Sequence, residues 1–348
     1  MSVGAERVLT QRERNRALLE RQLLLSRKKL SLPKALERIG GIQAQYAPSM
    51  YIGLWSRVAG FEREQLTRAL ERRSVIQATL MRTTIHLVSR EDYWPIALAV
   101  REVRREGWLA YRRGKTTERE VEAAAKLVKG RLEAGVTARA KLMEGLDAML
   151  FNGAGVWLDL VRIPPAGTWE RRRADMYALA EDWLGPPRAA TAKDGLRLLV
   201  ERYLRGFGPA APADVANWIG VATKSVTAVL DEMELRHLRS EQGKLLVDLP
   251  RLPLPTADTP APVRFIPTWD ATLLVHARET GILPEEHRSK VFSTKTPQSV
   301  PTFTVDGAVA GTWKYEKGRA QPRSFGKLAS DARDELADEA QRITDFHA

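Results

Sequence analysis

The sequence predicts an α+β protein that is mainly helical, with tandem winged-helix (helix-turn-helix) motifs and a C-terminal β-rich domain. Two observations predict this class. Apolar residues recur at helical spacing through most of the chain. Short runs rich in β-branched residues follow groups of helices, which is the order of a winged helix. The predicted winged-helix units are residues 1–110, 111–190 and 191–255, and the C-terminal domain is 256–348.

The first unit has four predicted helices followed by a β-rich run. Pro33 falls in the first turn of the second helix, and Gly40 and Gly41 end that helix. The run from Val75 to Val88 is rich in β-branched residues and alternates in part, so we predict strands there. The helices are predicted at Thr10–Leu24, after Ser31 to Gly40, at Ser49–Val58 and at Arg63–Arg73.

The middle of the chain repeats this order. Val156–Val161 is a strand candidate, closed by Pro164 and Pro165. The segment Gly185-Pro186-Pro187 interrupts the pattern and predicts a boundary between units. The helices are predicted at Glu91–Tyr111, Glu118–Glu133, Ala138–Leu150 and Trp169–Leu184.

The third unit carries the clearest structural motif. Two short predicted helices, Pro212–Gly220 and Ala222–Leu230, are joined by a turn that contains glycine, as in a helix-turn-helix. Two β-rich segments, Leu235–Arg239 and Lys244–Val247, then form a hairpin that serves as a wing. Because this region is not net basic, the motif is either a packing scaffold or a DNA-binding element. Lys224 is its candidate DNA contact.

The last third of the sequence changes in character. Residues 250–262 are rich in proline and predict a linker. Asp306-Gly307, between two β-rich runs, is a strong hairpin signal. The strands are predicted at Val263–Ile266, Thr272–His276, Thr302–Val305 and Val309–Trp313, and a charged helix at Leu328–Asp345.

The composition limits the chemistry and the compartment. The sequence has no Cys, which excludes disulfides, Cys-based zinc sites, iron–sulfur clusters and thiolate catalysis. The sequence contains no apolar segment typical of a signal peptide and no run near the ~20 apolar residues of a membrane span. We therefore expect a cytoplasmic protein with no membrane partner.

Positive charge is concentrated in the N-terminal part of the chain, and the formal net charge is +12. Residues 1–200 hold 36 Lys and Arg against 23 Asp and Glu, a net of +13. Residues 201–348 hold 19 against 20, a net of −1. A regional excess of this kind indicates a polyanion such as nucleic acid. The alternative is an Arg-rich proteome in which the charge only tunes solubility.

The search for cofactor and catalytic motifs is largely negative. The five His show no metal-binding spacing, so we expect no metal site. The sequence contains no phosphate loop, no strand-anchored GxGxxG and no GxSxG, so we expect no nucleotide or other cofactor. Asp270 is the one carboxylate that follows an apolar strand beside an aromatic residue, and we interpret it as a capping residue.

Two amides, Gln43 and Gln45, lie two residues apart in an otherwise apolar run where a helical pattern ends. In an extended segment this spacing places both side chains on one face. Such a pair can hold a water or a sugar hydroxyl, but it cannot protonate a leaving group. The residues alone leave a second interpretation open, in which the amides cap the preceding helix.

Five segments follow one another along the chain: Gly41–Pro48, Leu80–Val88, Gly208–Trp218, Phe265–Asp270 and Val305–Gly307. Together they resemble the winged-helix DNA glycosylases of the AlkZ type, and the resemblance covers nearly the whole chain. The catalytic signature of that family is Gln-x-Gln, which Gln43 and Gln45 match. Some relatives have Gln-x-Asp, so Gln45 places this chain nearer the AlkZ branch.

The resemblance implies both an architecture and a function. It implies three tandem winged-helix motifs and a C-terminal β domain around a concave basic face that binds DNA. It also implies a monofunctional DNA glycosylase that excises bulky alkylated purines, including interstrand crosslinks made by genotoxic natural products. The partner would be double-stranded DNA that carries alkylated or crosslinked purines.

The chemistry of the two amides fits that implication. Alkylation at purine N7 makes the base cationic, so the base leaves as a neutral molecule without prior protonation. The enzyme then needs to place a water at the anomeric carbon and to stabilise an oxocarbenium-like centre. Our hypothesis is that Gln45 holds the attacking water, whereas Gln43 supports the sugar and orients that water. Because a crosslinked nucleotide cannot swing easily into a closed pocket, we expect a shallow site.

Other residues are candidate DNA contacts. Strand alternation would put Arg82, Thr84 and His86 on one face, where they could meet a phosphate and the lesion-bearing nucleotide. An ordinary half-buried strand with a satisfied histidine remains equally open for His86. A cationic cluster is either DNA-facing or merely solvated, and Arg104 and Arg105 are its candidate contacts. Its members are Arg101, Arg104, Arg105, Arg112, Arg113 and Lys115.

Two other classes of function fit the same residues. One is a winged-helix transcription regulator that binds a defined operator and releases no base. The other is a catalytically silent relative that binds lesions or sequesters a drug. For the glycosylase we expect a monomer associated with the nucleoid.

Overall fold

The computed structural model describes residues 7–187, 190–293 and 299–348, and it shows an α+β protein. Helices make up most of the ordered structure, and the strands form sheets of three, four and five members. The α+β class is therefore confirmed. No helix in the described ranges is long and apolar enough to cross a membrane.

The first group of elements follows the predicted order of helices and strands. Thr10 caps the first helix in a capping box with Glu13. Gly40, at φ 82°, ends the second helix in the left-handed conformation that glycine adopts without strain. The elements are β1 (Arg7–Leu9), α1 (Gln11–Arg21), α2 (Leu32–Ile39), β2 (Ile42–Gln43), α3 (Ala47–Trp55), α4 (Arg63–Glu71), β3 (Val75–Thr79) and β4 (Ile85–Ser89).

The second group departs from the prediction in three places. The helix predicted at Ala138–Leu150 is broken at Gly145, and Asp147 caps a new helix by accepting from the amides of Met149 and Leu150. This new helix runs to Trp157, so the strand begins only at Leu160. The elements are α5 (Arg90–Tyr111), α6 (Glu118–Glu133), α7 (Arg139–Leu142), α8 (Ala148–Trp157), β5 (Leu160–Arg162), β6 (Tyr177–Leu179) and α9 (Ala180–Leu184).

The third departure is the helix predicted at Trp169–Leu184, which is wrong. That stretch contains a loop, strand β6 and the short α9. Strand β6 pairs antiparallel with β5, and Tyr177 lies opposite Arg162. Pairing with a sheet formed by distant residues thus outweighs the local helical spacing.

One five-stranded antiparallel sheet joins the first two groups. Its order is β2-β4-β3-β5-β6, because β5 pairs with β3. Gln43, at the β2 edge, lies opposite His86 of β4. The sheet therefore carries the Gln-Ala-Gln segment at one edge and the β5–β6 pair at the other.

The third group matches the predicted helix-turn-helix and hairpin. Gly220, at φ 89°, ends the first of the two short helices. The N-terminal β1 pairs in parallel with the hairpin and makes it a three-stranded sheet. The elements are α10 (Ala192–Phe207), α11 (Pro212–Ile219), α12 (Thr223–Leu230), β7 (Arg236–Ser240) and β8 (Leu245–Asp248).

The C-terminal part contains the predicted hairpin, whose turn residues Asp306 and Gly307 have φ 48° and 79°. The strand predicted at Thr272–His276 is wrong, because 3₁₀ turns occupy this stretch. Asp270 caps the first of them, since its Oδ1 accepts from the amide of Thr272 at 3.1 Å, and the capping interpretation is confirmed. The elements are β9 (Arg264–Ile266), α13 (Glu285–Val291), β10 (Thr302–Val305), β11 (Ala308–Glu316), β12 (Arg319–Ser324) and α14 (Ser330–His347).

Candidate active site

Gln45 lines a cleft of about 270 Å³, whose walls come from the five-stranded sheet and from helices α5 and α8. Its Oε1 accepts a hydrogen bond from the backbone N–H of Ile85 at 3.3 Å. Because the backbone N–H of Ile85 can only donate, the side-chain atom that faces it is the amide oxygen of Gln45. The Nε2 atom of Gln45 therefore points away from β4. One lone pair of Oε1 remains free for a second donor.

The walls of this cleft, in the described part of the chain, contain no carboxylate. They contain the amides of Gln45 and Asn152, three hydroxyl groups and a single guanidinium, that of Arg162. Such walls can hold water and sugar hydroxyls, and they offer no carboxylic acid to protonate a leaving base. The hydroxyl groups belong to Thr79, Thr83 and Tyr177, and apolar and aromatic surface comes from Ile85, Trp108, Phe151, Val156 and Leu160.

Gln43 does not line this cleft. Its side chain is 5% exposed and borders a separate cavity of about 10 Å³, which has room for one water. Ser49, Arg57 and Asp270 border the same cavity, and Arg57 pairs with Asp270 at 2.9 Å. The expectation that both amides share one face is not met, because β2 ends at Gln43 and the chain bends at Gln45.

The backbone between the two glutamines is held on both sides. The N–H of Ala44 donates to the carbonyl oxygen of Ile85 at 2.7 Å, and Nε2 of Gln77 donates to the carbonyl oxygen of Ala44 at 3.2 Å. Gln77 itself packs on Gly167, where a Cβ would lie 2.5 Å from Gln77 Oε1. Gln77 and Gly167 thus fix the segment that carries Gln45.

The strand alternation predicted from Arg82 to His86 is wrong. Met81–Thr83 forms a 3₁₀ turn in which Arg82 has φ 50° and Thr83 has φ 57°. Arg82 donates through Nη1 to the carbonyl oxygen of Trp218 in α11, and burial lowers the pKa of Arg82 to about 10. Thr84 donates through Oγ1 to the carbonyl oxygen of Met81 at 3.1 Å.

His86 is buried within the sheet and is neutral. Its Nδ1 lies 3.0 Å from the carbonyl oxygen of Thr84 and donates to it. Burial, with a further contribution from the Arg82 guanidinium, lowers the pKa of His86 to about 3. The side chain therefore carries no positive charge for a phosphate at neutral pH.

A family model described as DNA glycosylase AlkZ-like matches residues 36–346. This chain belongs to the AlkZ-like DNA glycosylase family. It is 24% identical over 322 residues to the interstrand DNA cross-link repair glycosylase of Streptomyces sahachiroi, and the match covers 85% of each chain. Its fold is similar to the solved structure of Streptomyces sahachiroi DNA glycosylase AlkZ, with a TM-score of 0.80 at 19% identity, covering 98% of this chain and 97% of that one. The family expected from the sequence is thereby confirmed.

The remaining candidate DNA contacts of this AlkZ-like glycosylase differ in exposure. Arg104 is 5% exposed and donates to the carbonyl oxygen of Gly155 at 3.4 Å, so its expected place on the surface is wrong. Arg105 is partly exposed and pairs with Glu102 at 3.2 Å. Lys224 is exposed in the first turn of α12. DNA contact by these residues remains a prediction.

The aromatic rings and the cation of the glycosylase cleft were not found from the sequence, and they are brought together by non-local packing. Trp108 of α5 packs on α8 at Gly153, where a Cβ would lie 2.7 Å from the indole ring. The cleft also needs the pairing of β5 with β6, which no local motif signals. The missed residues are Trp108, Phe151, Arg162 and Tyr177.

The described ranges of the glycosylase contain no cluster of three or more Asp, Glu or His that could hold a metal ion. Asp270 lines the same small cavity as Gln43, and its carboxylate accepts hydrogen bonds from Arg57 and Thr272.

Proposed function

We propose that the protein hydrolyses the N-glycosidic bond of cationic N7-alkylated purines in double-stranded DNA, including bulky adducts and interstrand crosslinks. The observation that carries this proposal is the position of Gln45 in a cleft whose described walls hold no carboxylate. A neutral base needs an acid in order to leave, whereas an N7-alkylated purine does not. The relative from Streptomyces sahachiroi, named for cross-link repair, supports the same substrate class.

In the proposed reaction Gln45 acts on the attacking water. The free lone pair of its Oε1 accepts a hydrogen bond from that water and directs the water oxygen at the anomeric carbon. The new C–O bond forms as the C–N bond breaks, and the bonding electrons neutralise the charge on the base. The proton of the water passes to solvent. The amide dipole of Gln45 stabilises the oxocarbenium-like centre.

Gln43 is a positioning residue in this proposal. Its buried amide borders the one-water cavity beside Arg57 and Asp270, on the strand that leads directly to Gln45. A fixed Gln43 holds the strand end from which Gln45 reaches the cleft. It thereby sets the orientation of the water rather than contacting it.

In this proposal the three groups of helices and strands act as winged helices and bind the DNA. The net charge of +13 over residues 1–200 supports contact with the phosphate backbone. Among the candidate contacts, Lys224 is exposed and Arg105 is partly exposed. We propose that the enzyme is monofunctional and leaves an abasic site, which the lack of a lysine among the described cleft walls supports. We propose that it acts as a monomer on nucleoid DNA.

Release of free base tests the proposal and separates it from its rivals. Duplex DNA with N7-methylguanine, and a second duplex crosslinked between guanine N7 atoms, are incubated with the protein, and released base is measured by chromatography. We expect release from both and an abasic strand that breaks only on later heating. Binding of lesions without release would indicate a silent relative, and a footprint on a defined native sequence without release would indicate a transcription regulator.

A further inference from the structure

Arg162 is a cation in the wall of the Gln45 cleft, and it has no acidic partner. It ends β5, its Nη1 donates to Thr79 Oγ1 at 3.2 Å, and its Cζ lies 5.3 Å from the ring centroid of Tyr177. No described carboxylate forms an ion pair with it, and none lines the cleft. Its Nε is buried without a hydrogen-bond partner. A guanidinium placed in this way remains charged, and a ligand that enters the cleft can supply an acceptor to its terminal nitrogens.

The sheet places Arg162 at the opposite end of the cleft from Gln45. Gln45 follows β2, and β4 and β3 lie between β2 and β5. Adjacent strands are about 4.8 Å apart, so the two backbones are separated by roughly 14 Å. A nucleotide whose sugar lies at Gln45 therefore directs its base toward Arg162. The rings of Trp108 and Tyr177 line the cleft there and offer flat surfaces to a purine.

We propose, building on the function proposed above, that Arg162 contacts the six-position of the leaving purine and selects guanine over adenine. Arginine offers only hydrogen-bond donors. Guanine presents the acceptor O6, whereas adenine presents an amino group that also donates. With an alkyl group on N7, O6 is the acceptor that remains on this edge of guanine. Adenine would present no acceptor to the Arg162 donors at this position, which a partly buried cation tolerates less well than a paired one.

The same guanidinium assists departure of the base. Cleavage of the C–N bond moves positive charge from the base, at the Arg162 end, to the sugar, at the Gln45 end. Repulsion between Arg162 and the base falls, and the hydrogen bond to O6 strengthens, as the base becomes neutral. Arg162 thus interacts more favourably with the transition state than with the bound lesion, which is the requirement for catalysis.

The test compares two cationic bases in one reaction. Duplex DNA that carries N7-methylguanine and N7-methyladenine, both blocked at N7, is incubated with the enzyme, which is assayed for release of both bases. The ratio of the two rates cancels losses of folding or of DNA binding. We expect Arg162→Gln to lower the guanine-to-adenine ratio by about tenfold or more, because a glutamine amide both donates and accepts. Arg162→Lys keeps a donor and should lower it less.

Arg197→Gln is the matched control, because Arg197 lies on α10 and pairs with Glu201 at 3.3 Å, with a partly exposed side chain. It should keep the wild-type ratio. A wild-type ratio in Arg162→Gln would overturn the role of Arg162, even if its overall rate fell, while the proposed glycosylase function stood. Wild-type protein that released neither base would overturn the proposed function itself.

Discussion

At the scale of single residues, two buried histidines lie close to the Arg82 guanidinium. His86 is 2% exposed and His276 is 5% exposed. Burial, with a contribution from Arg82, lowers the pKa of each histidine to about 3. Both are therefore neutral in the folded protein at any pH at which the enzyme would work. This electrostatic environment gives them a role in stability rather than in binding phosphate.

We predict that the free energy of unfolding falls between pH 7 and pH 5 because of these histidines. An unfolded histidine has a pKa near ~6.5. Over this range the unfolded chain gains protons that buried His86 and His276 do not, so the unfolded state is favoured as the pH falls. Each histidine contributes a loss of about 2 kcal/mol.

Denaturant unfolding of the wild type and of His86→Asn, at both pH values, checks this expectation. The asparagine amide can replace the Nδ1 donor to the carbonyl oxygen of Thr84, so the hydrogen bond of His86 is retained. The loss from pH 7 to pH 5 should be smaller in the variant by about 2 kcal/mol. An equal loss in both proteins would contradict the assignment.

At the scale of elements, the Gln-Ala-Gln segment lies at the end of β2 and is held by hydrogen bonds to the adjacent strands. Ala44 is bonded to Ile85 of β4 through its N–H and to the Gln77 side chain of β3 through its carbonyl oxygen. The two flanking glutamines can therefore face different cavities while their common backbone stays fixed. Rigidity of this kind is what positioning a water requires.

We predict that Gln77→Met destabilises the protein and slows base release. The buried carbonyl oxygen of Ala44 loses its donor, which costs about 1–3 kcal/mol, and the segment that carries Gln45 becomes less constrained. Denaturant unfolding and single-turnover base release measure the two effects. Gln341→Met is the control, since Gln341 is exposed on α14 and bonds only Asp345. A wild-type rate in a folded Gln77→Met protein would show that the hydrogen bond from Gln77 to Ala44 does not matter for the reaction.

Local signals predicted the elements whose ends are set by a few neighbouring residues. Gly40 ends α2, Gly220 separates α11 from α12, and Asp306-Gly307 forms the turn between β10 and β11. In each case a backbone with positive φ favours glycine, so the glycine in the sequence predicts the turn. The same local reasoning singled out Gln43 and Gln45.

Elements and site residues that depend on distant partners were not predicted. β6 lies where a helix was expected, because it completes a sheet begun by residues far earlier in the chain. The bend at Gln45 and the 3₁₀ turn that holds Arg82 against Trp218 likewise come from tertiary packing. Arg162 reaches the Gln45 cleft only through this non-local sheet, so the sequence offered no signal for it.

At the scale of the whole molecule, the charge distribution is the property that bears on DNA binding. The excess of cations lies in residues 1–200, whereas residues 201–348 are nearly neutral. Lys224 is an exposed cation within the nearly neutral region, in the first turn of α12. Because the surrounding region has little net charge, the contribution of Lys224 to DNA binding can be measured with little interference from other cations.

We predict that DNA affinity falls steeply with salt and that Lys224→Gln makes the dependence shallower. Each phosphate contact that is lost reduces the slope of log affinity against log salt by about 0.9. Fluorescence anisotropy with undamaged duplex at several salt concentrations measures the slope. Arg342→Gln is the control, because Arg342 is exposed on α14 and lies 3.7 Å from Glu339. Identical slopes in wild type and Lys224→Gln would show that Lys224 of α12 does not contact a DNA phosphate.

We propose that Gln45, in a cleft whose described walls hold no carboxylic acid, directs water at a base that is already cationic. Single-turnover release of 7-methylguanine by wild type and by Gln45→Ala, with enzyme in saturating excess, tests it most directly. Saturation ensures that the measured rate reports the reaction and not DNA binding. The claim predicts a loss of about a hundredfold or more in Gln45→Ala, with unchanged affinity for undamaged duplex. A wild-type rate of release from Gln45→Ala would contradict it.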